Sequence, residues 1–335
     1  MQDTHVSLAH GNGGRFMREL IREIFVRHLA NPQLDADADA VAVTLGEGEI
    51  MLTTDAFTVQ PLEFPGGNIG SLAVHGIVND LAVSGATPIY LTLSAIIEEG
   101  LPVEQLERIV AALAEAARGA QVRVVAGDTK VVRRGEAAGL YLTGAGVGLR
   151  ARHHDHLALA AIRDGDRVLV SGPVGDHGAA VLLAREEFGL MGQLESDCAS
   201  VLPLTQALLA VPGLRFMRDP TRGGLATVTH EICRASGLGL RLEQAAIPVR
   251  AAVQSVCEML GYDPLYLACE GRVVAVVDAG SAPQALAALR ARPQGQDAAV
   301  IGTVTASHAR VVLATPLGGE RHLEELEDDP LPRIC

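Results

Sequence analysis

Lysine is almost missing from this chain of 335 residues: Lys130 stands alone among 27 cationic side chains, and the rest are arginine. Arginine richness can reflect base bias, but the two cations are not interchangeable. Lysine is a compact, strongly hydrated charge whose pKa moves on burial, whereas arginine stays charged and seeks planar, bidentate partners. The surviving lysine, in "GDTKVV" (127–132), therefore points to proton transfer or a close phosphate contact. A surplus of positive charge is also lacking. The net charge of −13 argues against non-specific binding to nucleic acid or to an anionic membrane. Long apolar runs are scarce as well: the stretch from Leu81 to Ile97 is interrupted by Ser84, Gly85 and Pro88, which predicts a helix end leading into a buried strand and no transmembrane helix. Residues 1–30 lack a basic start, apolar core and small-residue cleavage site, so secretion is not expected. Instead "GRFMRELIREIFVRHLAN" reads as an amphipathic helix. The five cysteines (198, 233, 257, 269 and 335) contain no CxxC pair, which suits a reducing cytoplasm without a zinc knuckle or disulfide framework. Four sit among apolar neighbours, as small core residues do, and the fifth is the last residue.

What is present is an alternation of strand-like runs (50–54, 89–97, 122–126, 139–149, 167–171, 273–278, 298–304 and 311–314) with helical patterns at 14–30, 70–84, 102–118, 200–210, 222–236 and 282–291. The alternation predicts an α/β chain of packed α+β layers. The length favours two domains, and "LRARHHDHLALAAIRDGDR" supplies a boundary, giving 1–155 and 156–320. The remaining 321–335, "RHLEELEDDPLPRIC", is acidic with two prolines and too little apolar surface to fold alone, so a mobile tail is expected there.

Glycine-rich turns recur: "HGNGG" (10–14), "PGGNIG" (65–70), "SGPVGDHG" (171–178) and "DPTRGG" (219–224). None ends in GK[ST], and none is a GxGxxG following a strand, so neither nucleotide fingerprint applies. Glycine alone marks tight turns. A strand that passes through glycines into a helix, as "RVLVSGPVGDHGAAVLLAREE" does, additionally aims N–H groups and a positive dipole at an anion. Aspartates accompany these loops: Asp55 in "TTDAF", Asp80 in "VNDLA", Asp128 in "AGDTK" and Asp219 in "DPTRGG". Each alone reads as a turn or cap residue. Together, Asp55, Asp80 and Asp128 make a candidate magnesium–nucleotide set of hard oxygen donors, with Arg222 placed to clamp phosphate. Glu270 in "LACEGRVVAVV" is either a turn residue or a general base whose pKa is raised by apolar neighbours. His153, His154 and His156 in "RHHDH" would suit nickel or zinc, but adjacent histidines at a domain junction more simply read as exposed polar residues.

The segments "TTDAFTVQPLEFPGGNIGSLAVHGIVNDLAVSGATPIYL", "GDTKVV", "SGPVGDHG", "RDPTRGGLA" and the terminal "PLPRIC" closely resemble the HypE family of hydrogenase maturation factors, carbamoyl dehydratases of the PurM-like ATP-binding superfamily. The resemblance runs from about residue 8 to the end. It implies a two-domain PurM-like fold with a flexible C-terminal tail, whose N-terminal domain dimerises and carries an ATP–magnesium site. It implies ATP contacts from Asp55, Asn79, Asp80, Asp128, Thr129, Gly175, Asp176, His177, Asp219 and Arg222. Metal ligation is implied for Asp55, Asp80, Asp128 and an aspartate within "LDADADAVAV", whose register among Asp35, Asp37 and Asp39 is open and for which Asp39 is preferred. The implied chemistry centres on Cys335: a carbamoyltransferase, HypF, loads a carbamoyl group, ATP drives its dehydration to a thiocyanate, and the cyano group passes to iron on a HypC–HypD complex. Lys130 and Glu270 match the positions beside the modified cysteine, with the base between them undecided. Two rivals stay open, a synthetase acting on a free small molecule and a metal-delivery scaffold that uses the histidines and the terminal thiol.

Overall fold

The computed structural model describes residues 3–12, 14–36, 38, 40–185, 194–326 and 334; Asp37, Asp39 and Cys335 lie outside the described residues. The first half comprises α1 (Arg15–Leu20), α2 (Arg27–Leu29), β1 (Glu49–Phe57), β2 (Glu63–Phe64), β3 (Gly67–Asn68), α3 (Ile69–Val83), β4 (Ala86–Glu98), α4 (Val103–Gly119), β5 (Arg123–Val132) and β6 (Leu140–Arg150). Its four-stranded sheet has the order β1-β6-β4-β5, with only β4 and β5 parallel. One face is covered by α3 and α4. Asn68 starts α3 by accepting from Gly70 and Ser71 N–H at 2.9 and 3.1 Å, and Ser71 Oγ accepts from Asn68 N–H at 3.0 Å. Gly144 and Gly146 let this apolar helix lie directly on the sheet: a Cβ on either would come within 2.7 and 2.5 Å of Ile77. On α4, Leu106, Ile109, Val110, Leu113 and Ala117 follow the helical repeat and are buried. The opposite sheet face is open, with Ile50 54 % and Leu52 71 % exposed.

The second half comprises β7 (Arg167–Val170), α5 (Asp176–Ala184), α6 (Leu202–Leu209), β8 (Leu214–Arg218), α7 (Gly224–Ser236), β9 (Gly239–Glu243), α8 (Ala251–Leu260), β10 (Val274–Val277), α9 (Ala282–Arg290), β11 (Ala299–Thr305), β12 (Val311–Ala314) and β13 (Glu320–His322). These strands form a sheet of order β13-β12-β9-β11-β7-β10-β8. Its central strands β7 and β10 are buried on both faces, which accounts for their unbroken apolar runs. The halves are not separate globules, because one apolar cluster joins Ile69 and Leu72 of α3 to Ala180 of α5 and Val253 of α8.

The C-terminal segment is tied in further than its composition suggests. β13 pairs with β12, Leu323 is buried, and the Leu323 and Glu324 carbonyls accept from His230 Nε2 at 2.9 Å and Tyr266 Oη at 2.7 Å. Residues 321–325 therefore belong to the packed body, since strand pairing satisfies a backbone that a lone tail would leave to water. Ile334 is also buried. No helix among the described residues is long and apolar enough to cross a membrane.

Candidate active site

Four carboxylates from four elements meet at the seam between the two halves. Asp80, near the end of α3, accepts from Thr53 Oγ1 on β1 at 2.7 Å. Asp55, also on β1, accepts from the Ala56 N–H at 2.7 Å. Asp219 follows β8 and Glu270 precedes β10, and both are buried. Burial pushes the Asp219 carboxyl up to about 7, reinforced by the charges of Asp80 and Asp55 and opposed by Arg218. Burial likewise raises Glu270 well above the ordinary carboxylate range, with Asp219, Asp197, Asp55 and Asp80 adding to it. Asp55 and Asp80 are raised chiefly by burial, against the pull of Arg222 on Asp55 and of the Thr53 hydroxyl and Arg218 on Asp80. A seam of this kind, where carboxylates outnumber the nearby Arg218 and Arg222, suits a cation or a protonated acid.

The Glu270 backbone is held from two sides. Asn79 donates from Nδ2 to the carbonyls of Ala199 and Glu270 at 3.1 and 3.2 Å and accepts from the Val201 N–H at 2.8 Å. Asp197 accepts from the N–H groups of Glu270 and Gly271 at 3.0 and 3.2 Å. The carboxyl itself is left over: Glu270 Oε1 is buried without a hydrogen-bond partner among the described residues. Asn79 is thus a clamp behind the site. Asp197 was missed by sequence reasoning, because "ESDCAS" carries no signal beyond a polar loop.

Asp197 in turn meets Arg272 Nε at 3.3 Å, and Arg272 and Arg250 both reach Asp176 Oδ2, at 3.2 and 3.0 Å. This buried network fills the loop in which the sequence suggested an anion site. Every residue from Ser171 to Gly178 is buried. A Cβ on Gly172 would lie 3.0 Å from Arg272 Nη1, and one on Gly178 2.9 Å from Leu267 Cβ, so these glycines permit close packing. Gly175 starts α5 with φ 84°, and Asp176 is held by its two arginines, with its carboxyl pushed up to about 6 by burial and the neighbouring Asp197. His177 uses both ring nitrogens within the protein, Nδ1 with Ser196 Oγ at 2.8 Å and Nε2 with the Ile334 carbonyl at 2.7 Å.

Asp128, Thr129 and Lys130 lie elsewhere. In the sheet register Asp55 aligns through Gly144 and Leu93 with Gly127, so β1 and β5 are three strand spacings apart, about 14 Å. Asp128 and Lys130 point from the open face, 4.0 Å apart, with the lysine 68 % exposed. Thr129 faces inward with an Oγ1 that has no partner among the described residues, and with Asp128 and Asp35 it lines a mainly apolar cavity of about 270 Å³. In a single chain, then, Lys130 and Glu270 are not neighbours. Asp39 and Cys335 fall outside the described residues, and among those described no group of three or more His, Cys, Asp or Glu could hold a metal ion. His153 and His156 are exposed at the surface.

Cys198, Cys233, Cys257 and Cys269 are free thiols. Burial pushes Cys233 and Cys257 up to about 11 and Cys198 and Cys269 well above the ordinary thiol range. Cys198 differs from the simple core residue expected, because the charges of Glu270 and Asp197 raise it further.

Comparison with known proteins agrees with this architecture. The N-terminal domain model of the AIR synthase related proteins matches residues 37–150, and the C-terminal domain model matches 163–314. The carbamoyl dehydratase HypE of Azotobacter vinelandii is 47 % identical over 100 % of this chain and 98 % of its own. A crystal structure of HypE in complex with ATP superposes with a TM-score of 0.93 at 43 % identity, covering 98 % of this chain and 99 % of that one. A HypE chain from a HypE–HypF complex gives a TM-score of 0.80 at 42 % identity, covering 92 % and 99 %. Near-complete coverage at this identity, on a fold built from both AIR-synthase-related domains, places the chain in the HypE family of carbamoyl dehydratases.

Proposed function

We propose that this chain binds ATP and uses it to dehydrate a carbamoyl group carried on its own C-terminal Cys335 to a thiocyanate, the source of the cyanide ligand on the iron of nickel–iron hydrogenase. The observation that carries the reading is the full-length match to HypE, including the chain that was solved with ATP. The other four thiols support Cys335 as the carrier, since burial keeps them protonated and poor nucleophiles at neutral pH.

Carbamoyl oxygen is a poor leaving group, so it first attacks the γ-phosphorus of ATP and ADP departs. As one N–H proton is lost, a C=N bond forms. Loss of the second proton then expels the oxygen as phosphate and leaves S–C≡N on the cysteine. Glu270, buried, unpartnered at Oε1 among the described residues and held by Asn79 and Asp197, is suited to take a proton from nitrogen. Asp55 and Asp80 fit a magnesium ion held by one or two carboxylates with phosphate oxygens and waters, an arrangement that needs no all-protein cage. The ion would offset charge on the transferring phosphoryl group. Asp219 and Arg222 border the same seam.

We further propose a homodimer formed through the open face of the β1-β6-β4-β5 sheet, with domains 1–155 and 156–320. The exposed Ile50 and Leu52 support it. Such a dimer would bring Lys130 of one copy toward the seam of the other, which the 14 Å width of a single sheet forbids within one chain. HypF as the loading enzyme and a HypC–HypD complex as the cyanide acceptor complete the reading, in a reducing cytoplasm that keeps Cys335 free.

Mass spectrometry of the C-terminal peptide tests the proposal. After loading with the carbamoyltransferase and carbamoyl phosphate, magnesium–ATP should remove one water from modified Cys335. A peptide that never takes up the group, or keeps it while ATP is hydrolysed, would replace this reading with a synthetase acting on a free small molecule. Lys130→Arg should bind ATP normally yet dehydrate about 100-fold more slowly, because an arginine cannot give up a proton there. Unimpaired turnover would remove Lys130 from proton transfer.

A further inference from the structure

We propose that His177 is a positioning residue that seats the C-terminal end of the chain in the reaction chamber through a hydrogen bond from its Nε2–H to the Ile334 carbonyl. The purpose of the seat rests on the dehydratase reading, but its geometry does not. A carbonyl only accepts, so Nε2 carries the hydrogen, Nδ1 is the acceptor, and Ser196 Oγ donates to it across 2.8 Å. His177 is fully buried, with the Phe64 ring edge-on at 5.3 Å. Burial lowers its pKa and so keeps it neutral, which preserves this one-donor, one-acceptor match.

Ser196 is itself fixed, donating its N–H to the Pro65 carbonyl at 2.8 Å and accepting at Oγ from the Cys198 N–H at 3.0 Å. The next residue, Asp197, holds the backbone of Glu270 at 3.0 Å. Two consecutive residues therefore reference the chain end, through His177, and the proposed proton-transfer carboxyl, through Asp197. The Ile334 carbonyl belongs to the peptide bond that joins it to the last residue, so the contact acts one residue from the thiol. The Ile334 side chain is 3 % exposed and packs in the same apolar cluster as Phe64 and Leu267. Among the described residues, one neutral hydrogen bond and one aliphatic side chain make the seat, contacts weak enough to release the tail for loading in trans.

The test is the rate at which iodoacetamide alkylates Cys335 in the full-length protein, read on the C-terminal peptide. His177→Phe keeps the ring volume without the donor and should raise the rate about tenfold, whereas His177→Gln keeps an N–H donor and should return it to within about twofold of the parent. Ile334→Ala loosens the seat from the tail side without touching α5 and should also raise the rate, so a fold defect in His177→Phe leaves the question decidable. Single-turnover dehydration of pre-carbamoylated protein should fall about tenfold in His177→Phe with ATP affinity unchanged. Unaltered alkylation in both His177→Phe and Ile334→Ala overturns the seat, as does weakened ATP binding with unaltered alkylation, which would make His177 a nucleotide ligand. Faster alkylation in a protein whose parent form never dehydrates Cys335 would support the seat while removing the dehydratase reading.

Discussion

Arg272→Leu is expected to lower folding stability by about 3–5 kcal/mol, a fall in Tm of roughly 10 °C. The guanidinium is the shared partner of two carboxylates whose side chains are each 1 % exposed, Asp176 at 3.2 Å and Asp197 at 3.3 Å, and its Nε also donates to the Pro173 carbonyl at 2.9 Å. Leucine fills much of the volume but, among the described residues, leaves Asp197 without its cation and Asp176 with only the half-exposed Arg250. The penalty arises from uncompensated buried charge, so adding Asp176→Asn and Asp197→Asn to Arg272→Leu should restore part of the loss. A change below about 1 kcal/mol in the single variant, by urea denaturation at pH 7, would mean that the guanidinium does not sustain the pair. Because Asp197 also holds Glu270, the same substitution should slow dehydration more than it weakens ATP binding.

The seam makes the unliganded protein less stable as pH rises. Asp219 has a folded pKa of about 7 against an ordinary 3.8, raised first by burial and then by Asp80. A raised carboxylate binds its proton more tightly in the native state, so its contribution is whole below about pH 4 and is lost as pH climbs through about 7. The full loss comes to about 4 kcal/mol, taking about 1.36 kcal/mol per unit. Asp55, Asp80 and Glu270, also raised, act in the same direction, while Arg218 and Arg222 oppose it. Asp219→Asn should therefore be more stable than the parent at pH 8, by up to a few kcal/mol, and nearly equal to it at pH 4. Magnesium–ATP should narrow the gap at pH 8. Parallel stability profiles for parent and variant between pH 4 and 8 would show that Asp219 does not titrate in this window.

Much of the secondary structure was legible. Every strand-like run read from the sequence falls on an observed strand, and the helical patterns fall on α1 with α2, α3, α4, α6, α7 and α9. The strands passed over are short: β8 and β9 have five residues each, and β2, β3 and β13 two or three, too few for alternation to emerge. The missed α8 carries Val253, Val256 and Cys257 at helical spacing, a pattern that could have been found. In the site, glycine-flanked aspartates and Glu270 drew attention by their chemistry. Asp197 did not, since what makes it matter is a backbone contact 73 residues away.

Periodicity and residue type thus determined the layers, the absence of CxxC spacing and the acidic residues worth watching, because each depends on neighbours within a few positions. Which of those residues meet was decided by tertiary structure alone. Sheet order sets Asp55 and Asp128 on opposite edges, although both follow the same strand-and-glycine logic. Packing of α3 against the second half gathers Asp80, Asp219 and Glu270 and raises their pKa values by exclusion of water, a property of the seam and of no local segment. The 157-residue separation of His177 from Ile334 puts their contact beyond any local pattern, since only chain closure in the folded state brings that donor to that carbonyl.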